Sequence, residues 1–411
     1  MNIIDFNDLM LTGYGPDGAI QHAAPALANV DDDGQLTFGE AALRRHRSQP
    51  QTSQSHYLAR LTDAVFTPSI GQAQTQADLL YYQLAGLQQQ QTTDEVAAVI
   101  TSQLSNTQLG LLLGICEALP LKVRCFIDRA LLAHPQQMSN DSYHVLDLGL
   151  HQSVLSRVAM EQQTLRVIEH KALPNLGLFT IVDGWLNQIA DVCIQNSRFD
   201  PLHNAAGEQS LFDQIYAWLQ QEQGGNLNVS VMHNGASRNI EVTTQELSAT
   251  LQKRIDQELF SAVGALQLTA TSNHLPGLQN LIKSIINNTQ IVDLNHYLRN
   301  AISIHENASE AQVERISELN MQRTEASLSA PAIANNEDAS GAAKVPATHL
   351  LLGSTAKPLT HADFNAFLDA DGLLRPQTTA LINGAAPISA RLAAGDHVQF
   401  GDATWLAISA S

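Results

Sequence analysis

Short apolar runs and helically spaced apolar positions follow one another along the first 320 residues of the chain. Runs with strand character lie within residues 2–43, at 95–101 and across 144–173, where three of them predict a meander. Helical spacing covers much of 75–119, and the last apolar helix is predicted to end before Pro120. This repeated alternation of strand pairs and helices predicts an α/β fold with mixed sheets.

Residues 200–262 have the pattern of a smaller α+β insertion. A predicted helix is followed by two alternating runs on either side of Asn234-Gly235, a residue pair typical of a tight hairpin turn. Thr243 and Glu246 have the spacing of a capping box, which predicts the start of a long helix. A strand, a loop and a helix follow, and a last helix is predicted at residues 308–323.

The composition of the chain changes at residues 324–346, which read TEASLSAPAIANNEDASGAAKVP. This segment is rich in Ala, Ser, Asn and Pro and contains no aromatic residue, as is typical of a flexible linker. Beyond it, residues 347–411 contain the strand-like runs HLLLG, TALING and DHVQFGDATWLAI. The sequence therefore predicts a large domain over 1–323, a linker, and a small C-terminal all-β domain.

The chain carries 40 acidic and 22 basic residues, a formal net charge of -18, which argues against nucleic acid or anionic lipid as the main partner. Its three cysteines form no CxxC pair, so neither a disulfide framework nor a zinc knuckle is expected. The first residues lack the basic start of a signal peptide, and no apolar run approaches the ~20 residues that span a bilayer. We therefore expect a cytoplasmic protein without membrane insertion.

Four segments follow one another along the chain: IIDFNDLMLTG near the start, VLDLGLHQSVLSRVAM at 145–160, IEVTTQELSATLQKRI and LQLTATSNHLPGLQNLI. Together they resemble the actin-like ATPase fold in its DnaK-type heat-shock chaperone form. Near the start, IIDFNDLMLTG resembles the first phosphate hairpin of that family, and VLDLGLHQSVLSRVAM at 145–160 resembles the second. The segments IEVTTQELSATLQKRI and LQLTATSNHLPGLQNLI are similar to a helix of the upper second lobe and to the adenosine loop. The resemblance covers about three quarters of the chain. It implies a two-lobe, duplicated ribonuclease H-like fold, with a first lobe at about 1–143 and a second at about 144–323.

The resemblance also implies where a nucleotide site would lie. The remnants of nucleotide binding would be Asp5, Asn7, Asp147, Gly149 and Ser272, and Asp5 and Asp147 would hold magnesium through water molecules. An equal alternative is that both carboxylates accept hydrogen bonds from nearby backbone N–H groups.

The general-base glutamate of the family would correspond to Asp128, which is one methylene shorter and is followed by Arg129 instead of proline.

All three phosphate and adenosine loops depart from the family pattern. Glycines and small hydroxyl side chains let backbone N–H groups approach phosphates, but most of them are replaced here. The replacements are Asn7, Asp8 and Leu9 in the first hairpin, Leu150, His151 and Gln152 in the second, and Ala270 and Thr271 in the adenosine loop. Asp8 would also repel a phosphate by roughly 4 kcal/mol at about 4 Å.

We therefore predict a catalytically degenerate protein that serves as a scaffold or adaptor for protein partners and needs no cofactor. The alternative is an active ATP-binding chaperone or a filament-forming ATPase that uses ATP and Mg²⁺. Self-association without nucleotide is a third reading.

The C-terminal stretch LINGAAPISARLAAGDHVQFGDATWLAI is similar to the last strands of forkhead-associated domains. Their phosphothreonine-binding Gly-Arg-Ser motif is not found, so a protein-docking β domain is the expectation. The 15 histidines form no HExxH motif, and the nucleophile motif G-x-S-x-G is absent, so neither a metalloprotease nor a serine hydrolase is indicated. His151 alone lies in a predicted phosphate hairpin, where it is either a plain tip residue or a functional one.

Overall fold

The computed structural model describes residues 2–88, 95–135, 142–222, 225–233, 236–258, 265–309, 312–320, 347–352, 355–361, 364, 367–369, 373–375, 380–382, 392, 397–400 and 403–408. The chain divides into two compact units, Met1–Pro331 and Ala332–Ser411. The predicted linker at 324–346 and the predicted turn Asn234-Gly235 lie outside the described residues.

The first unit is a mixed α/β structure, so the general class predicted from the sequence is confirmed. Its strands are β1 (Asn2–Asp5), β2 (Leu11–Tyr14), β3 (Ile20–Ala24), β4 (Ala28–Val30), β5 (Leu36–Phe38), β6 (Val65–Ile70), β7 (Ala73–Thr75), β8 (Glu95–Ile100), β9 (Lys122–Asp128), β10 (Ser142–Asp147), β11 (Ser153–Glu161), β12 (Thr164–Leu173), β13 (Leu227–His233), β14 (Ala236–Val242), β15 (Leu266–Leu268), β16 (Thr289–Ile291), β17 (Glu314–Ile316) and β18 (Glu318–Asn320). Its helices are α1 (Glu40–Leu43), α2 (Gln76–Gln88), α3 (Asn106–Ala118), α4 (Arg129–Leu132), α5 (Leu178–Ser197), α6 (Ala205–Leu219), α7 (Thr244–Glu258), α8 (Pro276–Ile285) and α9 (Leu294–Asn307).

Two six-stranded sheets of the first unit share the same plan in five strands, and the sixth strand, β17 or β18, lies at opposite edges of that plan. The first has the order β17-β9-β8-β1-β2-β3 and the second the order β16-β15-β10-β11-β12-β18. In each, three consecutive strands pair antiparallel, and the first of them pairs on its other side with a parallel strand that is followed by another parallel strand. We call the part built on the first sheet the first half and the part built on the second sheet the second half.

A shared apolar core joins the two halves. One buried cluster contains Ile3 and Ile127 of the first sheet and Val145 and Val158 of the second. Helix α4 lies between the sheets, where it contacts β9, β11, β12 and α9. Because α9 also contacts β8 and β9, its buried face, which includes Tyr297, belongs to the first half.

The last helix predicted at 308–323 is wrong in the described residues 308–309 and 312–320. The helix lies earlier, at Leu294–Asn307, where the side chain of Asp293 accepts a hydrogen bond from the backbone N–H of His296 and caps the start. After it, β17 pairs with β9 at one edge of the first sheet and β18 pairs with β12 at one edge of the second. Pairing with strands distant in sequence thus overrides the local helical composition.

The insertion predicted at 200–262 contains α6, the hairpin of β13 and β14, and α7. The predicted capping box is confirmed, since the backbone N–H of Thr243 donates to Glu246 Oε2 (2.8 Å) and the backbone N–H of Glu246 donates to Thr243 Oγ1 (3.2 Å). Within the segment EAALRRHR, the helix α1 is short. It ends at Leu43, and backbone turns then lead to Arg47.

The second unit contains a sheet of β19 (His349–Leu352), β20 (Thr355–Pro358), β21 (Leu381–Ile382), β22 (His397–Phe400) and β23 (Ala403–Ile408). Its described strands have the order β20-β19-β23-β22-β21 and pair antiparallel. Leu350, Phe364, Phe367 and Val398 form its buried core. Across the described parts of both units, no helix has the length and apolar character needed to cross a bilayer.

Candidate functional site

The ends of β1 and β10 bring the sequence-predicted carboxylates together. Asp5 ends β1 and Asp147 ends β10, and these strands hold equivalent places in the two sheets. Asn7 follows β1 and spans the space between the halves. Its Nδ2 donates to Asp147 Oδ1 (3.0 Å) and to the carbonyl oxygen of Leu148 (2.9 Å). Asp5, Asn7 and Asp147 therefore belong to one buried cluster.

Arg129, the first residue of α4, lies between the two carboxylates. Its Nε and Nη2 donate to Asp5 Oδ1 at 2.8 and 2.5 Å, and its Nη1 donates to Asp147 Oδ2. Tyr297 donates its hydroxyl to Asp5 Oδ2 (2.7 Å), and Thr269 donates to Asp147 Oδ1 (3.1 Å). The carboxylates therefore receive a charged group and several neutral donors, as buried carboxylates require.

Burial and the neighbouring charges shift the pKa of Arg129 in opposite directions. Only 1% of this residue is exposed, and burial alone lowers its pKa. The carboxylates of Asp147 and Asp5 reverse that effect and raise the pKa of Arg129 well above its usual value. The guanidinium is therefore a permanent cation at the centre of the cluster.

Asp8 belongs to the first hairpin segment, and its side chain contacts the backbone of the second. Its Oδ1 accepts a hydrogen bond from the backbone N–H of Leu150 (3.0 Å). Gly149 permits this approach, since a Cβ there would lie 2.7 Å from Asp8 Oδ1 and 2.4 Å from the carbonyl oxygen of Gln152. Burial raises the pKa of Asp8 to about 6, and the Leu150 hydrogen bond offsets part of that rise.

A cavity of about 120 Å³ remains beside this cluster. Asp8, Arg129, Gly149, Gln103 and Gln152 are among the residues that line it. Sites for small molecules and cofactors usually enclose about 300–1,000 Å³, so this cavity is smaller than a typical nucleotide site.

Asp128 and Ser272 make local structural contacts. Asp128 caps α4, accepts a hydrogen bond from Ser102 Oγ (2.7 Å) and lies 3.6 Å from Arg315 Nη2. Burial raises the pKa of Asp128, although these donors and the arginine oppose the rise. Ser272 donates to the carbonyl oxygen of Thr269 (2.7 Å).

His151 contacts two residues of the first half, His56 and Ser55. Its ring stacks on His56 with centroids 3.5 Å apart, and its Nε2 lies 2.9 Å from Ser55 Oγ. Burial lowers the pKa of His151 to about 3, so the ring is neutral near pH 7. This histidine therefore contributes to contact between the halves.

Sequence reasoning missed Arg129, Tyr297 and Thr269 as members of the cluster. Arg129 carried a signal, because it is a charged residue inside the apolar stretch CFIDRALLA, and a buried arginine requires acidic partners. The contacts of Tyr297 and Thr269 join segments more than 100 residues apart and leave no local pattern.

Comparison of the chain with protein-family models and with curated proteins finds no match.

The residues present do not fit a magnesium–nucleotide complex. Mg²⁺ bound through Asp5 and Asp147 would require the Arg129 guanidinium to leave both carboxylates. A phosphate on the second hairpin would meet the Asp8 carboxylate at the Leu150 N–H group. In the described residues, no group of three or more His, Cys, Asp or Glu side chains could hold a metal ion.

Proposed function

We propose that the first unit is a degenerate actin-like domain of the heat-shock-chaperone type. The chain acts as a cytoplasmic scaffold or adaptor for protein partners and does not hydrolyse ATP. The repeated strand plan supports the fold assignment, because two copies of one mixed sheet place Asp5 and Asp147 at matching strand ends. That arrangement agrees with the sequence resemblance of both hairpins.

The observation that carries the loss of catalysis is the position of Arg129 between Asp5 and Asp147. A guanidinium is a fixed cation that cannot give up its charge or coordinate a nucleophilic water as a metal does. Displacing it would leave a charged side chain buried without partners, which costs several kcal/mol. A cation that replaced Arg129 between Asp5 and Asp147 would therefore make the fold less stable.

The remaining candidate for acid–base chemistry is also poorly suited to it. A general base must lie within hydrogen-bond reach of the proton that it removes. Asp128 is instead engaged by Ser102 Oγ and by the backbone N–H of Ala130, and Arg315 faces it. These contacts support a structural role in starting α4.

Binding of proteins is the function left to such a fold, since a fold persists when its catalytic site is lost. The second unit supports this assignment, because it has its own sheet and core, Leu350, Phe364 and Phe367 included. A separate compact β domain in addition to the larger unit suits an adaptor that contacts more than one protein. We propose that the second unit contributes a docking surface.

Phosphate release from ATP, measured with an active heat-shock chaperone as positive control, tests the catalytic part. We expect a rate indistinguishable from the protein-free blank with Mg²⁺ present. Turnover that is lost on Asp147→Asn would contradict the proposal and favour the divergent-ATPase alternative.

Affinity capture from cytoplasm with the full chain, and with a variant lacking 347–411, tests the adaptor part. We expect specific partners whose recovery falls on deletion, with circular dichroism confirming that the first unit stays folded. Recovery of the same proteins by the full chain and by the variant would contradict a docking role of the second unit.

A further inference from the structure

The two halves of the first unit are joined by side chains that occupy the places of a ligand. Arg129 of the first half binds Asp147 of the second through Nη1. Asp8 of the first half accepts the backbone N–H of Leu150 in the second at 3.0 Å. One contact supplies a cation between the two strand ends, and the other supplies an anion at the second hairpin. The charges of Arg129 and Asp8 have the same signs as those of a metal ion and a phosphate bound at these two places.

A second group of contacts between the halves centres on Arg47. Its Nη2 donates to Asp183 Oδ1 (2.6 Å) and its Nη1 to Glu208 Oε1 (3.2 Å), on α5 and α6 of the second half. The guanidinium also lies 5.5 Å from the ring centroid of Phe179 and 5.1 Å from that of Phe212. Charge pairs and cation–π contacts thus both hold the Arg47 side chain.

The backbone around Arg47 is tied to the second half as well. The N–H groups of Arg47 and Ser48 donate to Gln209 Oε1 at 2.7 and 3.2 Å, and Gln209 Nε2 donates to the carbonyl oxygen of Leu43 at 3.0 Å. Leu43 is buried in the core cluster of the second half. Gln152 Nε2 also donates to Gln103 Oε1 (2.7 Å), and both side chains line the cavity beside Arg129. Backbone and side-chain groups of both halves therefore take part in these contacts.

We propose that Arg129 and Asp8 form an internal ligand which, with the Arg47 contacts, keeps the two halves closed without any bound molecule. This inference rests on the proposed function, since it takes the space between the halves as one that receives no nucleotide. Opening would separate Asp147 from Arg129, Leu150 from Asp8, and Arg47 from both of its carboxylates at once. The chain then presents its partners with one fixed arrangement of the two halves.

Distance measurement between spin labels on the two halves tests the inference in the full chain. Gln51→Cys and Ala217→Cys place one label on each half at exposed positions, while Cys116, Cys125 and Cys193 are buried and shielded from labelling. We expect one narrow distance population that does not change when ATP and Mg²⁺ are added. Two populations, or a shift on addition of ATP and Mg²⁺, would overturn the inference.

Variants of the joining side chains complete the test. Arg47→Ala combined with Arg129→Met should add a longer-distance population, because both groups of contacts between the halves are removed. If circular dichroism shows that this double variant is unfolded, Arg47→Ala alone should still broaden the distribution. Arg45→Ala is the matched control, since Arg45 pairs with Asp32 inside the first half (2.9 Å) and should leave the distribution unchanged. If the folded variants of Arg47 and Arg129 show the same distances as the natural chain, the inference is overturned.

The failure of this inference can be told apart from that of the proposed function. A broad distance distribution in a chain that neither binds nor hydrolyses ATP would overturn the closed arrangement alone. ATP turnover with an unchanged narrow distribution would instead contradict the proposed function.

Discussion

Nη1 of Arg129 donates a hydrogen bond to Oδ2 of Asp147, and both side chains are at least nine-tenths buried. The pair connects the start of α4 in the first half to the end of β10 in the second. Its energy depends on keeping both partners, since a lone buried charge is far less favourable than a paired one. The first two predictions follow from this pair.

Arg129→Met should lower the free energy of unfolding by about 3–5 kcal/mol, because Asp5 and Asp147 lose their shared cation. Urea unfolding at pH 7 measures the change. Arg45→Met is the control, since the Asp32 carboxylate that pairs with Arg45 is 76% exposed and such pairs contribute about 0–1 kcal/mol. Equal losses in the two variants would contradict a special role for the buried pair.

Arg129→Ala should make the protein responsive to divalent cations. The change opens a space beside the carboxylates of Asp5 and Asp147, which are oxygen ligands suited to Mg²⁺. We expect millimolar Mg²⁺ to raise the melting temperature of the variant but not that of the natural chain, because a ligand stabilises only the state that binds it. An identical Mg²⁺ effect on both proteins would count against Arg129 as a substitute cation.

Asp8→Asn should raise stability at neutral pH. Burial raises the folded-state pKa of Asp8 from 3.8 to about 6, with Asp147 adding to the rise and Arg129 opposing it. The folded state therefore holds the proton more tightly, and this stability is present below about pH 4 and lost as the pH rises through 6.

The asparagine keeps an oxygen for the Leu150 N–H group but carries no charge. The variant should exceed the natural chain by roughly 2–3 kcal/mol at pH 7.5, with the difference vanishing near pH 4. Urea unfolding across pH 4–8 measures it. A difference that is independent of pH would show that the charge of Asp8 is not the cause.

Gly149→Ala should destabilise the fold by about 1–3 kcal/mol. The added Cβ would lie 2.4 Å from the carbonyl oxygen of Gln152 and 2.7 Å from Asp8 Oδ1, so backbone must move. Gly110→Ala in α3 is the control, because its Cβ meets no atom within 4 Å and alanine favours a helix by up to about 1 kcal/mol. Thermal unfolding should shift in opposite directions for the two variants, and parallel shifts would contradict the prediction.

Local patterns predicted much of the fold but little of the charged cluster. The capping box at Thr243 and the meander at 144–173 follow from short-range spacing, and the structure contains both. The helix predicted at 308–323 was wrong because pairing with the sheet edges, which depends on distant strands, decides that segment. Short-range composition carries no information about those partners.

The resemblance of the hairpins identified Asp5 and Asp147, and these side chains do meet in one cluster. From the sequence, Asp8 is expected only to repel a phosphate. The contact of Asp8 with the Leu150 N–H group depends on how closely the halves approach, which no motif specifies. Arg129 was noted only as a replacement for proline, because its reach to both strand ends depends on the placement of α4 between the sheets.

Calorimetric titration of the full chain with ATP and Mg²⁺ tests the central claim most directly, because it measures whether a magnesium nucleotide enters the space that Arg129 and Asp8 occupy. We predict no saturable heat of binding at millimolar nucleotide, with the same result for a non-hydrolysable analogue. Saturable binding that requires Mg²⁺ and is abolished by Asp147→Asn would contradict the account.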